Sequence, residues 1–166
     1  MPDQNLVNAL YQAADQYGID RSIAYAQINQ ESGFNPNAKS PAGAQGIAQF
    51  IPQTAARFGL TNPFDPIASF QAWGKYMRFM LDKFAGRYDL ALAGYNSGEN
   101  RPEYIAAARE GRGINWSILP PQVQIETQNY VNRICGRAMT CGNPPRPLHL
   151  IREAAANNQK KTPAGS

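Results

Sequence analysis

The chain has 166 residues, 43% of them hydrophobic and only 17% charged. That is enough apolar material for one folded domain, and it excludes a disordered polyelectrolyte. The formal net charge of +4 favours anionic partners, but the excess is scattered, with no Lys/Arg block or basic stripe, so nucleic-acid binding is not expected.

No apolar run approaches the roughly 20 residues that a membrane-spanning helix needs. The opening Met1-Pro2-Asp3-Gln4-Asn5 has neither the basic nor the apolar region of a secretory signal.

Most of the chain reads as helices punctuated by glycine and proline. Asp3 caps a first helix in which Leu6, Leu10, Ala13, Ala14 and Tyr17 share a face, and Gly18 ends it. Asp20 caps a second. Ala24, Ile28 and Glu31 fall there at i, i+4 and i+7, which puts Glu31 at the edge of the inward stripe, with Gly33 as the stop. Between 33 and 50, Asn35, Pro36, Asn37, Ser40, Pro41, Gly43 and Gly46 predict an irregular segment or small hairpin.

Pro52 opens a helix through Phe58, closed by Gly59. Asp65-Pro66 is a cap followed by a first-turn proline. The helix they start carries Ile67, Phe70, Met77, Leu81 and Phe84 on one side, with Trp73 as a core aromatic or a platform for sugars and Gly86 at its end. Asp89 is read as the cap of a short helix bearing Leu90, Ala93 and Tyr95. Pro102 opens another through Arg109. Residues 112–121 read as a loop in which Trp116 is a candidate platform for sugars. A helix from Gln124 to Ala138 turns Val131 and Ile134 inward.

Past Gly142 the composition changes. Pro144, Pro145 and Pro147 make a stiff connector, Leu148 to Asn158 a small docking helix, and the remainder a tail. The expected organisation is one domain over 1–141 and a Pro-rich connector, short helix and tail over 142–166. The expected fold class is α+β, predominantly α-helical, with a small irregular or hairpin segment after the second helix. Cys135 and Cys141 stand six apart, as a loop-closing disulfide or as two free thiols. His149, the only histidine, makes no zinc spacing with them, and neither metal nor cofactor is expected.

Glu31 is the most informative residue. A carboxylate at a helix C-terminus faces the negative end of the macrodipole and the last unpaired carbonyls, and partial burial against Ala24 and Ile28 acts the same way. Each disfavours the ionised form, which suits a general acid at neutral pH. Position alone leaves the alternative of a solvated residue on a fraying helix end.

Four motifs surround it. They are Glu31-Ser32-Gly33-Phe34-Asn35-Pro36, the run Ser40 to Ala55 containing Gly46-Ile47-Ala48-Gln49-Phe50, then Tyr95-Asn96-Ser97-Gly98, and Glu126-Thr127-Gln128-Asn129-Tyr130-Val131. Together and in this order, over roughly residues 5 to 140, they resemble the soluble lytic transglycosylase family of the goose-type-lysozyme-like superfamily. The resemblance implies a lysozyme-like fold and peptidoglycan glycan strands as substrate. Glu31 matches the family's single catalytic acid/base. Ser40, Gln49 and Ile51 match positions lining the groove, and Tyr95 and Asn96 match a Tyr-Asn pair whose tyrosine hydroxyl faces the catalytic carboxylate. Glu126 and Tyr130 match the last motif, near the saccharide-binding floor. Two departures, Ile47-Ala48 for Leu-Met and Gly94 for Ala, trim apolar volume around the groove.

Structural roles compete at several of these positions. Tyr95 and Tyr130 also suit packing, Gln49 suits loop bracing, and Glu126 suits a carboxylate at a helix N-terminus. Ser32 is read as a helix-end hydroxyl, and without a well-placed histidine a Ser-His triad is excluded.

Most glycosidases use two carboxylates, and here one is embedded in a motif suited to acid catalysis. The resemblance implies a substrate-assisted cleavage between N-acetylmuramic acid and N-acetylglucosamine, ending in a 1,6-anhydromuramyl product. The rivals are a lysozyme-type hydrolase on the same fold and a non-catalytic wall-binding or virion structural module. Action on the bacterial cell wall, in the periplasm, is implied. Without a visible signal, a bacteriophage endolysin or virion-borne enzyme is favoured over a bacterial enzyme serving a secretion apparatus. The C-terminal tail is a candidate tether to a virion or secretion-apparatus partner, and a monomer is expected.

Overall fold

A computed structural model describes residues 1–137 and Cys141. The described residues form seven α-helices: α1 (Gln4–Gln16), α2 (Arg21–Ser32), α3 (Pro52–Arg57), α4 (Pro66–Lys83), α5 (Tyr88–Ser97), α6 (Pro102–Glu110) and α7 (Pro121–Arg137), with a 3-10 turn at Trp116–Ile118 before the last.

The helix starts follow local chemistry. The Asp3 carboxylate accepts the Asn5 N–H, Asp20 accepts those of Ser22 and Ile23, and Asp65 those of Ile67 and Ala68. Gly33 ends α2 in the left-handed region at φ 61°. Asp89 is not a cap. Its helix begins one residue earlier, and Asp89 sits in the first turn paired with Arg87 at 2.8 Å. The buried Arg87 also donates to the Ala107 and Arg112 carbonyls, so this pair ties α5 to the end of α6.

Five helices enclose the core. Each packs on the next in the order α1, α2, α7, α5, α4 and back to α1. Trp73, Phe70, Met77, Met80 and Phe84 of α4 are buried against Leu10, Ile23, Ile28, Leu90 and Ile134 from the others. Ile67, expected on the inward side of α4, is 55% exposed, because it lies in the first turn and the buried stripe starts at Ser69 and Phe70. Val131 and Ile134 of α7 point inward as read.

Between α2 and α3 the chain makes tight turns. The hairpin expected over 33–50 takes the form of two isolated antiparallel bridges, Lys39 with Gln45 and Gln45 with Phe50, so the fold is predominantly helical. Gly46 sits at φ 81°, and a Cβ there would meet the Pro63 carbonyl oxygen at 1.7 Å. That close approach fixes the turn against the segment before α4. Cys135 and Cys141 form a disulfide with Cα atoms 5.1 Å apart. Residues 142–166, with the expected connector, docking helix and tail, lie outside the described residues. Among the described residues no helix is long and apolar enough to cross a membrane.

Candidate active site

Glu31 is the penultimate residue of α2 and half-buried. Its Oε1 accepts the Tyr130 hydroxyl of α7 at 2.6 Å. Every buried side-chain oxygen or nitrogen among the described residues has a hydrogen-bond partner, and Oε2 has none, so Oε2 is open to solvent. Burial pushes the carboxyl up to about 7, against the lowering effect of the Tyr130 hydrogen bond.

Tyr130 is held from behind. The Gln27 side-chain amide donates to its hydroxyl oxygen at 3.1 Å, and the Trp73 indole N–H donates to Gln27 Oε1 at 2.9 Å. Gln27 and Trp73 are fully buried, so the carboxyl rests on a polar chain through the middle of the helical ring.

Tyr95 stands on the other side. The structure differs here from the implied role, because the Tyr95 hydroxyl donates to the Ala48 carbonyl at 2.7 Å and Tyr130 takes the bond to Glu31. Gln49, with φ 53°, turns the chain directly after that carbonyl. Tyr95 nevertheless lies within the field of Glu31. Burial first, then the charge of Glu31, keeps both tyrosine hydroxyls well above their ordinary range, so both remain protonated donors.

A cleft of about 310 Å³ opens beside Tyr95, bounded by Gln49, Ile51, Tyr76, Asn96 and Glu99. Ile51 is 53% exposed on its rim. Gln49 both lines the cleft and braces the loop, since its amide donates to the Ala38 and Gly46 carbonyls at 3.2 and 2.8 Å. Asn96 Oδ1 accepts the Thr127 hydroxyl of α7 at 2.7 Å, which fixes its amide.

Four expected residues do not line this cleft: Glu31 and Tyr130, which interact electrostatically with the lining Tyr95, and Ser40 and Glu126. Ser40 closes a turn, with its hydroxyl accepting the Ala44 N–H at 3.0 Å. Glu126 is exposed on α7 and contacts Gln122 at 3.4 Å. Ser32 ties α2 to the following loop through the Ile47 carbonyl at 2.7 Å, and Trp116 packs edge-on to Tyr104. No group of three or more His, Cys, Asp or Glu that could hold a metal stands together among the described residues.

The sequence reading missed Gln27, Glu99 and Arg57. Gln27 lies one turn before Glu31 on the inward stripe, where a polar side chain is itself a signal. Glu99 follows the Tyr95-Asn96 pair by three residues. It is buried at the cleft wall, paired with Arg57, and its Oε2 receives the Tyr76 hydroxyl at 3.4 Å. Burial pushes the Glu99 carboxyl up, but the Arg57 hydrogen bond, a backbone N–H and the Arg57 charge outweigh it and hold the group below its usual range.

Residues 8–116 match the family described as the transglycosylase SLT domain. The chain belongs to that family. Among relatives of this SLT domain, a membrane-bound lytic murein transglycosylase F of Shewanella pealeana is 35% identical over 116 residues, covering 62% of this chain and 24% of that protein. A transglycosylase of Enterobacteria phage PRD1 is 32% identical over 101 residues, covering 61% of this chain and 38% of its own length. The X-ray structure of an inactive mutant of the lytic transglycosylase Slt from Pseudomonas aeruginosa shares the fold. Its TM-score is 0.60 at 24% identity, over 85% of this chain and 25% of that one. This SLT domain thus spans well under half the length of the relatives it matches. Tyr130 lies beyond the matched residues, so a segment outside the family match completes the surroundings of Glu31.

Proposed function

We propose that this protein is a lytic transglycosylase that cleaves the β-1,4 bond between N-acetylmuramic acid and N-acetylglucosamine in peptidoglycan, with Glu31 as its single acid/base. The observation that carries this reading is Glu31 itself. Burial keeps its carboxyl protonatable up to about pH 7, with one oxygen fixed by Tyr130 and the other open to solvent.

In the proposed reaction Glu31 gives its proton to the glycosidic oxygen, and the bond from that oxygen to C1 of the muramyl sugar breaks. The muramyl acetamido carbonyl stabilises the positive charge at C1. The Glu31 carboxylate then takes the proton of the sugar's own C6 hydroxyl, whose oxygen closes onto C1. No water is consumed, and Glu31 ends as it began.

A hydrolase on the same fold would need a base to activate water. Glu99 is the carboxyl that lines the cleft, but Arg57 and Tyr76 occupy its oxygens and hold its pKa down, which makes it a poor base. That leaves Glu31 as the group suited to serve as both acid and base. We further propose that Gln49, Ile51, Tyr95 and Asn96 contact the glycan and that residues 1–141 form the catalytic domain. The PRD1 relative supports a phage setting with action on the cell wall. In that setting the Pro-rich segment 142–166 serves as a tether to a virion partner.

Glu31→Gln keeps an acceptor for Tyr130 and removes the titrating proton. It is expected to fold normally and to lose at least about 100-fold in lytic rate on purified peptidoglycan. Near-wild-type lysis by a folded Glu31→Gln protein would contradict the assignment.

A further inference from the structure

We propose that Gln27 is a positioning residue that, through Tyr130, keeps the Glu31 proton on Oε2, the oxygen open to solvent. The proposal rests on the reading of Glu31 as the acid. Its support is the direction of three consecutive hydrogen bonds joining α4, α2 and α7.

The direction is fixed at its buried end. An indole N–H can only donate, so the Gln27 oxygen faces Trp73 and the Gln27 NH₂ faces Tyr130. The Tyr130 hydroxyl oxygen therefore receives a proton from Gln27. Its own single proton points to Glu31 Oε1 at 2.6 Å. Oε1 is then an acceptor whether or not Glu31 is ionised. When Glu31 carries a proton, that proton sits on Oε2, where an incoming glycosidic oxygen can reach it.

Without Gln27 the Tyr130 hydroxyl is free to rotate and accept the Glu31 proton. The acid would then spend part of its time facing the protein interior. The titratable groups that face Glu31 among the described residues are Tyr130 from α7 and Tyr95 from α5, and Tyr95 is committed to the Ala48 carbonyl. Tyr130 is thus the titratable group in direct hydrogen-bond contact with Glu31 that can serve as an alternative acceptor.

The test uses three variants of the full chain. Gln27→Met replaces both polar ends at similar volume. Gln27→Met with Trp73→Phe also removes the indole donor that the single change leaves unpaired. Trp73→Phe alone frees the Gln27 amide to turn over. In both Gln27 variants kcat on peptidoglycan is expected to fall about tenfold with KM unchanged, because only the proton's placement is lost. The Glu31 carboxyl, followed by carbon-13 NMR, is expected to titrate at higher pH than in the parent, because its protonated form gains an acceptor. Trp73→Phe is expected to fall between.

An unchanged Glu31 titration in the folded variants would overturn the proposal, as would activity lost only in proportion to the unfolded fraction. The titration does not depend on turnover. A shifted titration in a protein that releases no muropeptides would support the relay and remove the lytic reading instead.

Discussion

At the residue scale, Glu31 couples the site to stability. Its pKa of about 7 in the folded protein lies above the ordinary glutamate value of 4.5. Between those values the folded chain keeps a proton that the unfolded chain has lost. Stability therefore falls as pH rises through that window, with no cost below it and the full cost above it. Glu31→Gln removes the cost. It is expected to be more stable than the parent near pH 8, by up to about 3 kcal/mol, and of equal stability near pH 4. Denaturant melts at the two pH values check this; a parent that is the more stable at the higher pH would show that the carboxyl is not held against ionisation. Glu99 differs because Arg57 compensates its burial, so two carboxyls of one chain are set apart by their neighbours.

At the scale of elements, the turn between α2 and α3 makes the strongest demand on sequence. Gly46 and Gly43 both adopt positive φ, at 81° and 89°, but only Gly46 lies against backbone, at the Pro63 carbonyl. Gly43→Ala is expected to cost about 1 kcal/mol from strain alone. Gly46→Ala is expected to cost more than about 3 kcal/mol, because the clash must displace the chain carrying Gln49 and Ala48. Thermal unfolding of the two variants checks the ranking, and equal losses would contradict the packing argument.

The same element shows what sequence can reveal. The starts of α1, α2 and α4 were legible because an aspartate cap acts on amides two or three residues away. Asp89 was misread because its partner Arg87 is oriented by carbonyls 20 and 25 residues on. Glu31 was legible from its helix end and its motif. The roles of Tyr130 and Tyr95 depend on contacts 99 and 47 residues apart, for which no local pattern exists. Gln49 satisfies both of its readings, as loop brace and as cleft wall.

At the scale of the whole molecule, the ring of five helices brings Glu31 of α2, Tyr95 of α5 and Tyr130 of α7 to one place, with Trp73 of α4 behind them. The family match ends at residue 116, yet α7 supplies the hydroxyl on the acid and the threonine on Asn96. The disulfide between Cys135 and Cys141 ties the end of that helix to the chain beyond it. The central claim is a single-carboxylate lyase. The measurement that tests it most directly is mass spectrometry of the soluble muropeptides released from purified peptidoglycan by this protein and by its Glu31→Gln variant. The account predicts products one water lighter than reducing muropeptides from the parent and none from the variant. Reducing-end products from the parent, or anhydro products from the variant, would contradict it.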